Sequence, residues 1–131
     1  VSVEVVADKE IVIDSYPGAL SQVITNLIVN STVHAFKDIT DKKIIISVSR
    51  AGENIVIDYR DNGVGVPDEI ADKIFDPFFT TSGMGQPGDG LGLSIVFNIM
   101  DELLNGSIEL VKDGKAGVHF VIKFPAEIGH E

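Results

Sequence analysis

Apolar residues recur along this chain in two rhythms, and the rhythms divide it into helices and strands. Leu20, Val23, Ile24, Leu27, Ile28 and Ala35 have the spacing of one helix face. Asp14-Ser15-Tyr16-Pro17-Gly18 introduces that helix, with Asp14 or Ser15 near the cap and Pro17 in the first turn. A second helical run holds Leu91, Ile95, Val96, Ile99, Met100 and Leu103, and Asn105-Gly106 ends it. Elsewhere the period is two. Residues 44–50 and 55–60 are expected strands around a turn at 51–54, and residues 107–112 and 118–124 a closing hairpin around 113–117. Residues 1–7 and 11–13 are two further strand candidates, parted by a turn at 8–10. Residues 67–74 suit a short helix with acids in its first turn. Residues 37–43 form a polar loop, and the Gly/Pro-rich residues 80–90 a mobile one. This order predicts an α/β two-layer sandwich, a mixed and mostly antiparallel sheet with helices packed on one face.

The totals narrow the chemistry. A length of 131 residues is that of one domain with a core of its own, and 44% hydrophobic residues favour a globular fold over disorder. The net charge of -10 argues against a nucleic-acid surface, which needs a basic stripe. It does not oppose a nucleotide, whose phosphates are offset by a divalent cation and local amides. With no cysteine, thiolate metal sites, thiol nucleophiles and disulfides are excluded. No apolar run approaches the length of a membrane span. The chain begins abruptly, in what looks like a strand, as a piece of a longer protein would.

Three features carry candidate chemistry. Asp61 follows an apolar strand and opens Asp61-Asn62-Gly63-Val64-Gly65-Val66-Pro67. Its carboxylate accepts hydrogen bonds and gives none when ionised, although Asp-Asn-Gly is equally good turn chemistry. Gly88-Asp89-Gly90-Leu91-Gly92-Leu93-Ser94 runs directly into a helix, whose first amides attract anions. It lacks the Gly-Lys-Ser or Gly-Lys-Thr of a P-loop, and a flexible entry to the helix fits the same residues. Gly83-Met84-Gly85-Gln86-Pro87-Gly88 matches the dinucleotide fingerprint in letters only, because no apolar strand leads into it. The third feature is a polar stripe of Asn26, Asn30 and His34 at four-residue steps beside the apolar helix face. An amide oxygen there suits Mg²⁺, a hard cation that keeps several waters; a plain polar helix border reads the same way. The histidines His34, His119 and His130 have no metal-binding spacing. A ligand that donates at one end and is anionic at the other fits the Asp61 turn and the glycine cluster together, and adenine nucleotides have that shape.

The order of these pieces resembles the ATP-binding catalytic domain of sensor histidine kinases, within the gyrase/Hsp90/histidine-kinase/MutL superfamily and its Bergerat-type fold. Asn26-Leu27-Ile28-Val29-Asn30-Ser31 resembles the N box, Asp61-Asn62-Gly63-Val64-Gly65 the G1 box, Phe75-Asp76-Pro77-Phe78-Phe79 the F box and Gly88-Asp89-Gly90-Leu91-Gly92-Leu93 the G2 box. Asn105-Gly106-Ser107-Ile108 and Gly117-Val118-His119-Phe120 resemble the last glycine-bearing strands, so the resemblance covers almost the whole chain. It implies that Asp61 takes the adenine amine, with Gly63 and Gly65 letting the backbone approach the base and Val66 and Ile74 beside it. Asn30 would hold Mg²⁺ among the phosphates, and Asn26 would share that wall and the catalytic role. Gly88, Asp89, Gly90, Leu91, Gly92 and Leu93 would border the phosphates. Residues 75–90, including Phe79, would form a flexible ATP lid. Where many relatives carry a basic residue three positions after the Mg²⁺ asparagine this chain has Val33, which leaves His34 or Lys37 to supply the charge. Asp89 stands where a threonine is usual.

The resemblance also implies a reaction. ATP would donate its γ-phosphoryl group to a histidine on a separate dimerisation domain, leaving ADP, with a response regulator downstream. A phosphoacceptor histidine is followed by an acid and, a few residues on, a proline; His34-Ala35 and His119-Phe120 lack the acid and His130-Glu131 ends the chain, so the acceptor domain is expected upstream of residue 1. The expected location is cytoplasmic, without direct membrane contact by this domain, whether or not the parent protein is membrane-anchored. Other readings are a nucleotide-binding module without catalysis, a serine-directed anti-sigma-type kinase, and a hydrolysing clamp like gyrase. The clamp would need a glutamate base where this chain has Asn26.

Overall fold

A computed structural model describes residues 2–7, 17–32, 41–66, 68–75, 92–112 and 117–126. Its elements in chain order are β1 (Ser2–Ala7), α1 (Pro17–Asn30), β2 (Lys43–Ala51), β3 (Asn54–Asp61), α2 (Gly92–Glu102), β4 (Ser107–Leu110) and β5 (His119–Pro125). The sheet order is β1-β2-β3-β5-β4. β1 runs parallel to β2, and every other pairing is antiparallel. This is the expected mixed, mostly antiparallel sheet, and β3 lies at its centre.

Period two decides which face is buried. Ile55, Ile57, Tyr59 and Asp61 of β3 all point inward, while Val56, Asp58 and Arg60 between them are half-buried on the other face. Ile44 and Ile46 of β2 and Phe120, Ile122 and Phe124 of β5 continue the inner face. Val23 and Leu27 of α1 and Val96 and Met100 of α2 close over it, so both helices contribute to one core. Each of these side chains contributes about 1.5–3 kcal/mol by leaving water. On the outer face His119 is buried, with Nε2 2.7 Å from Asp58 Oδ1.

Helix ends follow local chemistry. At the end of α2, Leu103 and Leu104 both donate to the Ile99 carbonyl, and Gly106 donates to Met100 at 2.7 Å. Asn105 turns the chain with a φ of 54°. Gly106 carries a second requirement, because a Cβ there would lie 2.1 Å from the Lys123 carbonyl oxygen on β5. At the other helix, α1 gives way at Ser31 and Thr32 to a wider π turn. The Thr32 hydroxyl donates back to the Ile28 carbonyl at 2.9 Å.

One element is shorter than expected. Residues 67–74 were expected as a short helix, but only Asp68–Ile70 is helical, as a single 3-10 turn, with turns through Phe75. Asp68, Glu69, Asp72 and Lys73 are exposed, and among the residues of this segment whose burial is described Ile74 is the fully buried one, so few apolar contacts there offset the nucleation of a longer helix. The expected strand at 11–13 and the mobile loop at 80–90 lie outside the described residues.

Candidate functional site

Asp61 ends the central strand and is only 6% exposed. Its Oδ1 accepts the backbone N–H of Gly63 at 3.0 Å and of Val118 at 2.9 Å. Its Oδ2 accepts the hydroxyl of Ser31 at 2.8 Å. Its own N–H donates to the Val118 carbonyl at 3.1 Å, which fastens the end of β3 to the start of β5. A carboxylate offers about four acceptor positions. Three are filled, so among the described residues one position on Oδ2 is left for a donor.

The neighbouring residue does the turn chemistry. The Asn62 side-chain oxygen accepts the Lys43 N–H at 2.8 Å, and its amide nitrogen donates to the Asp41 carbonyl. The turn and pocket readings of Asp-Asn-Gly are therefore divided between two side chains: Asn62 ties the turn to β2, and Asp61 faces inward.

Two glycines let three backbone segments converge on the carboxylate. Gly65 has a φ of 77° and Gly117 a φ of 83°. A Cβ on Gly117 would stand 2.9 Å from Asp61 Oδ1, and one on Gly65 would stand 3.2 Å from the Gly117 carbonyl oxygen. Gly63 is buried beside them, Val66 is half-buried against the core, and Ile74 is inside it. The Val66 carbonyl accepts Lys112 Nζ, whose ammonium also lies 3.3 Å from exposed Asp68.

Helix α1 reaches the same point. Ser31 is 1% exposed, and its hydroxyl lies 2.6 Å from that of Tyr59, which is 2.9 Å from the Leu27 carbonyl oxygen. Burial pushes the Tyr59 phenol well above its usual value of about 10; the Ser31 hydrogen bond opposes the rise and the Asp61 charge adds to it. Asn30 immediately precedes Ser31 and is half-buried. Asn26 lies one helical turn earlier, also half-buried, and accepts the Gln22 amide at 2.7 Å. Gly92 opens α2 and Leu93 packs against the core. His34, Lys37, Phe79, Gly88, Asp89, Gly90 and Leu91 lie outside the described residues, as does the expected lid apart from Phe75. The Phe75 ring packs 5.9 Å from that of Phe97 and 6.0 Å from that of Phe120.

Sequence reading missed Ser31 and Tyr59 and gave Gly117 no individual part. A signal for Tyr59 was present, since period two places it on the same face as Asp61 and a buried tyrosine hydroxyl needs a partner. Ser31, four residues after Leu27, is the polar residue that could supply one.

These features define a class. Residues 16–128 match the family of histidine kinase-, DNA gyrase B- and HSP90-like ATPases, and the chain belongs to it. Within that family it resembles the ATP-binding domains of sensor histidine kinases. It is 40% identical over 95 residues to nitrogen regulation protein NtrY of Azorhizobium caulinodans, covering 70% of this chain and 12% of that protein. It is 31% identical over 132 residues to sporulation kinase B of Bacillus subtilis, covering 99% of this chain and 29% of that one. Among solved structures, the nucleotide-free catalytic domain of histidine kinase ThkA superposes with a TM-score of 0.78 at 26% identity, covering 96% of this chain and 82% of that domain. The chain thus spans less than a third of the curated relatives it matches. Among the described residues no helix is long and apolar enough to cross a membrane.

Proposed function

We propose that this domain binds Mg·ATP and presents its γ-phosphoryl group to a histidine on a separate dimerisation domain of its parent protein. The observation that carries the reading is the Asp61 carboxylate. It is buried, bonded at three positions and, among the described residues, left with one acceptor position, so it fits a ligand that brings a single N–H donor, as the adenine amine does. Gly65 and Gly117 let the backbone close tightly around Asp61, which helps to hold the carboxylate in place for a base. Asn30, at the end of the same helix that delivers Ser31, would offer an amide oxygen to Mg²⁺, which would neutralise phosphate charge.

Phosphoryl transfer depends chiefly on positioning and charge stabilisation. This chain's part is to hold the base at Asp61 and orient the phosphates past Asn30. An imidazole nitrogen of the acceptor attacks the γ-phosphorus, the bond to the β-bridging oxygen breaks, ADP leaves, and the imidazole proton goes to solvent. His119 does not suit the acceptor role, being buried and held by Asp58. Asn26 has an amide where a hydrolytic clamp needs a base, and an amide does not take up a proton at neutral pH. A response regulator would receive the phosphoryl group afterwards.

The test has two arms. Calorimetry should give micromolar to millimolar binding of ATP and ADP in the presence of Mg²⁺. The parent protein incubated with γ-labelled ATP should then acquire acid-labile, base-stable label, as phosphohistidine does. Acid-stable label would point to a serine-directed kinase, and binding without label to a module without catalysis.

A further inference from the structure

The nucleotide reading employs Asp61 and leaves the buried hydroxyls of Ser31 and Tyr59 without a part. We propose that Ser31 is a positioning residue that sets base specificity: anchored by Tyr59, its hydroxyl holds the Asp61 carboxylate so that only a base bearing an exocyclic amine completes it. The inference rests on the nucleotide reading above.

The proton count supports it. Ser31 has one hydroxyl proton, and a carboxylate has none to give, so that proton lies on the 2.8 Å path to Asp61 Oδ2. The Ser31 oxygen then faces Tyr59 with its lone pairs, and the 2.6 Å contact needs the phenol as donor. The phenol keeps its proton, because burial disfavours the phenolate. Its proton is shared between Ser31 and the Leu27 carbonyl oxygen, 2.9 Å away on α1. Donation thus runs one way, from Tyr59 to Ser31 to Asp61.

At the other oxygen, the N–H groups of Gly63 and Val118 occupy Oδ1. Three donors from three segments fix the carboxylate plane, and rotation about the side chain would break all three bonds. The acceptor position left on Oδ2 meets an amine as a partner. It meets a keto oxygen as a second set of lone pairs.

Removing the Ser31 hydroxyl opens a second position on Oδ2. Water would fill it, and water can turn to donate or accept. The carboxylate would then be held at Oδ1 alone and would discriminate less between an amine and a keto group. A side chain that served only to fill space would act on every nucleotide alike.

Calorimetry with three Mg²⁺-nucleotides separates these roles: ATP, inosine triphosphate with its 6-keto group, and purine riboside triphosphate with hydrogen at that position. The unaltered protein should prefer ATP to both analogues. Ser31→Ala should weaken ATP about tenfold, the effect of losing a hydrogen bond to a charged group, and leave purine riboside triphosphate within about twofold. Tyr59→Phe, which keeps Ser31 but removes its anchor, should give a smaller loss confined to ATP. It also carries the test should Ser31→Ala fail to fold. Equal losses for all three nucleotides, or an undiminished ATP preference in both variants, would overturn the role of Ser31 while leaving the nucleotide reading in place. An unaltered protein that binds no ATP, or binds all three equally, would overturn both.

Discussion

Gly117 and Asp61 approach so closely that a Cβ on the glycine would lie 1.9 Å from the aspartate's carbonyl oxygen. No rotamer relieves this, because both groups are backbone or fixed to it. The φ of 83° adds a second strain, since left-handed backbone costs a residue with a Cβ about 1–2 kcal/mol. Gly117→Ala should therefore lower unfolding free energy by more than ~2 kcal/mol. Denaturant unfolding measures it. A midpoint unchanged from that of the parent chain would mean that the two strands part without loss.

Asp61→Asn tests the acceptor. The asparagine oxygen can keep the Gly63 and Val118 donors, which turns its NH₂ toward Ser31 and the ligand. An adenine amine then meets a donor. ATP affinity should fall at least about tenfold, from an unpaired buried group of ~1–3 kcal/mol, and the relative affinity for a 6-keto purine should rise. Competition binding of ATP against inosine triphosphate reads both changes, and ATP binding at parental strength would sever Asp61 from the base.

Asn30→Ala addresses the metal. The half-buried amide is expected to serve Mg²⁺, and alanine is the best helix former, so the fold should persist. ATP binding should lose its Mg²⁺ dependence while thermal unfolding of the free protein changes little. A magnesium titration identical to the parental one would return Asn30 to ordinary helix surface.

Tyr59 predicts a pH dependence. The unfolded chain releases a phenolic proton near pH 10, whereas burial lets the folded chain keep it beyond that. Above that pH the unfolded state binds fewer protons, so stability should fall as pH rises, by up to ~1.4 kcal/mol per pH unit. Below pH 10 this contribution is intact. Tyr59→Phe should remove that part of the alkaline decline, and unfolding curves from pH 8 to pH 11 on both proteins measure it. Parallel declines in the two would show that the phenol is not responsible.

The sequence made the helices and the inner strands legible because burial leaves a period behind. Val23 and Leu27 mark one helix, Val96 and Met100 the other, and Ile55 and Ile57 the central strand. The parallel pairing of β1 with β2 was not legible, since alternation assigns faces and says nothing of neighbours. The helix expected at 67–74 was read from its acidic start, yet packing decides helix length, and Asp68, Glu69, Asp72 and Lys73 there are all exposed. Asp61 and Asn62 looked like one turn with two readings, and only coordinates could divide the work between them. Ser31 and Tyr59 were hidden for a different reason. They are 28 residues apart, and a hydrogen bond between two hydroxyls leaves no periodic mark on either segment.

The place of β3 has one more consequence. The sheet order sets it between β2 and β5, and Asp61 is fastened to Val118 at the latter's entrance. Frayed edges and loops open locally, but paired central strands generally open only when the whole structure does. The amides of Gly63 and Val118, both donated to Asp61, should accordingly be among the slowest to exchange with deuterium. A ligand that needs Asp61 would find its site intact until global unfolding removes it. Binding then raises stability by RT ln(1 + [L]/Kd), undiluted by partly open states. Heating the domain at increasing nucleotide concentration becomes a titration of the base pocket, and each variant's affinity can be read from the rise in its melting temperature.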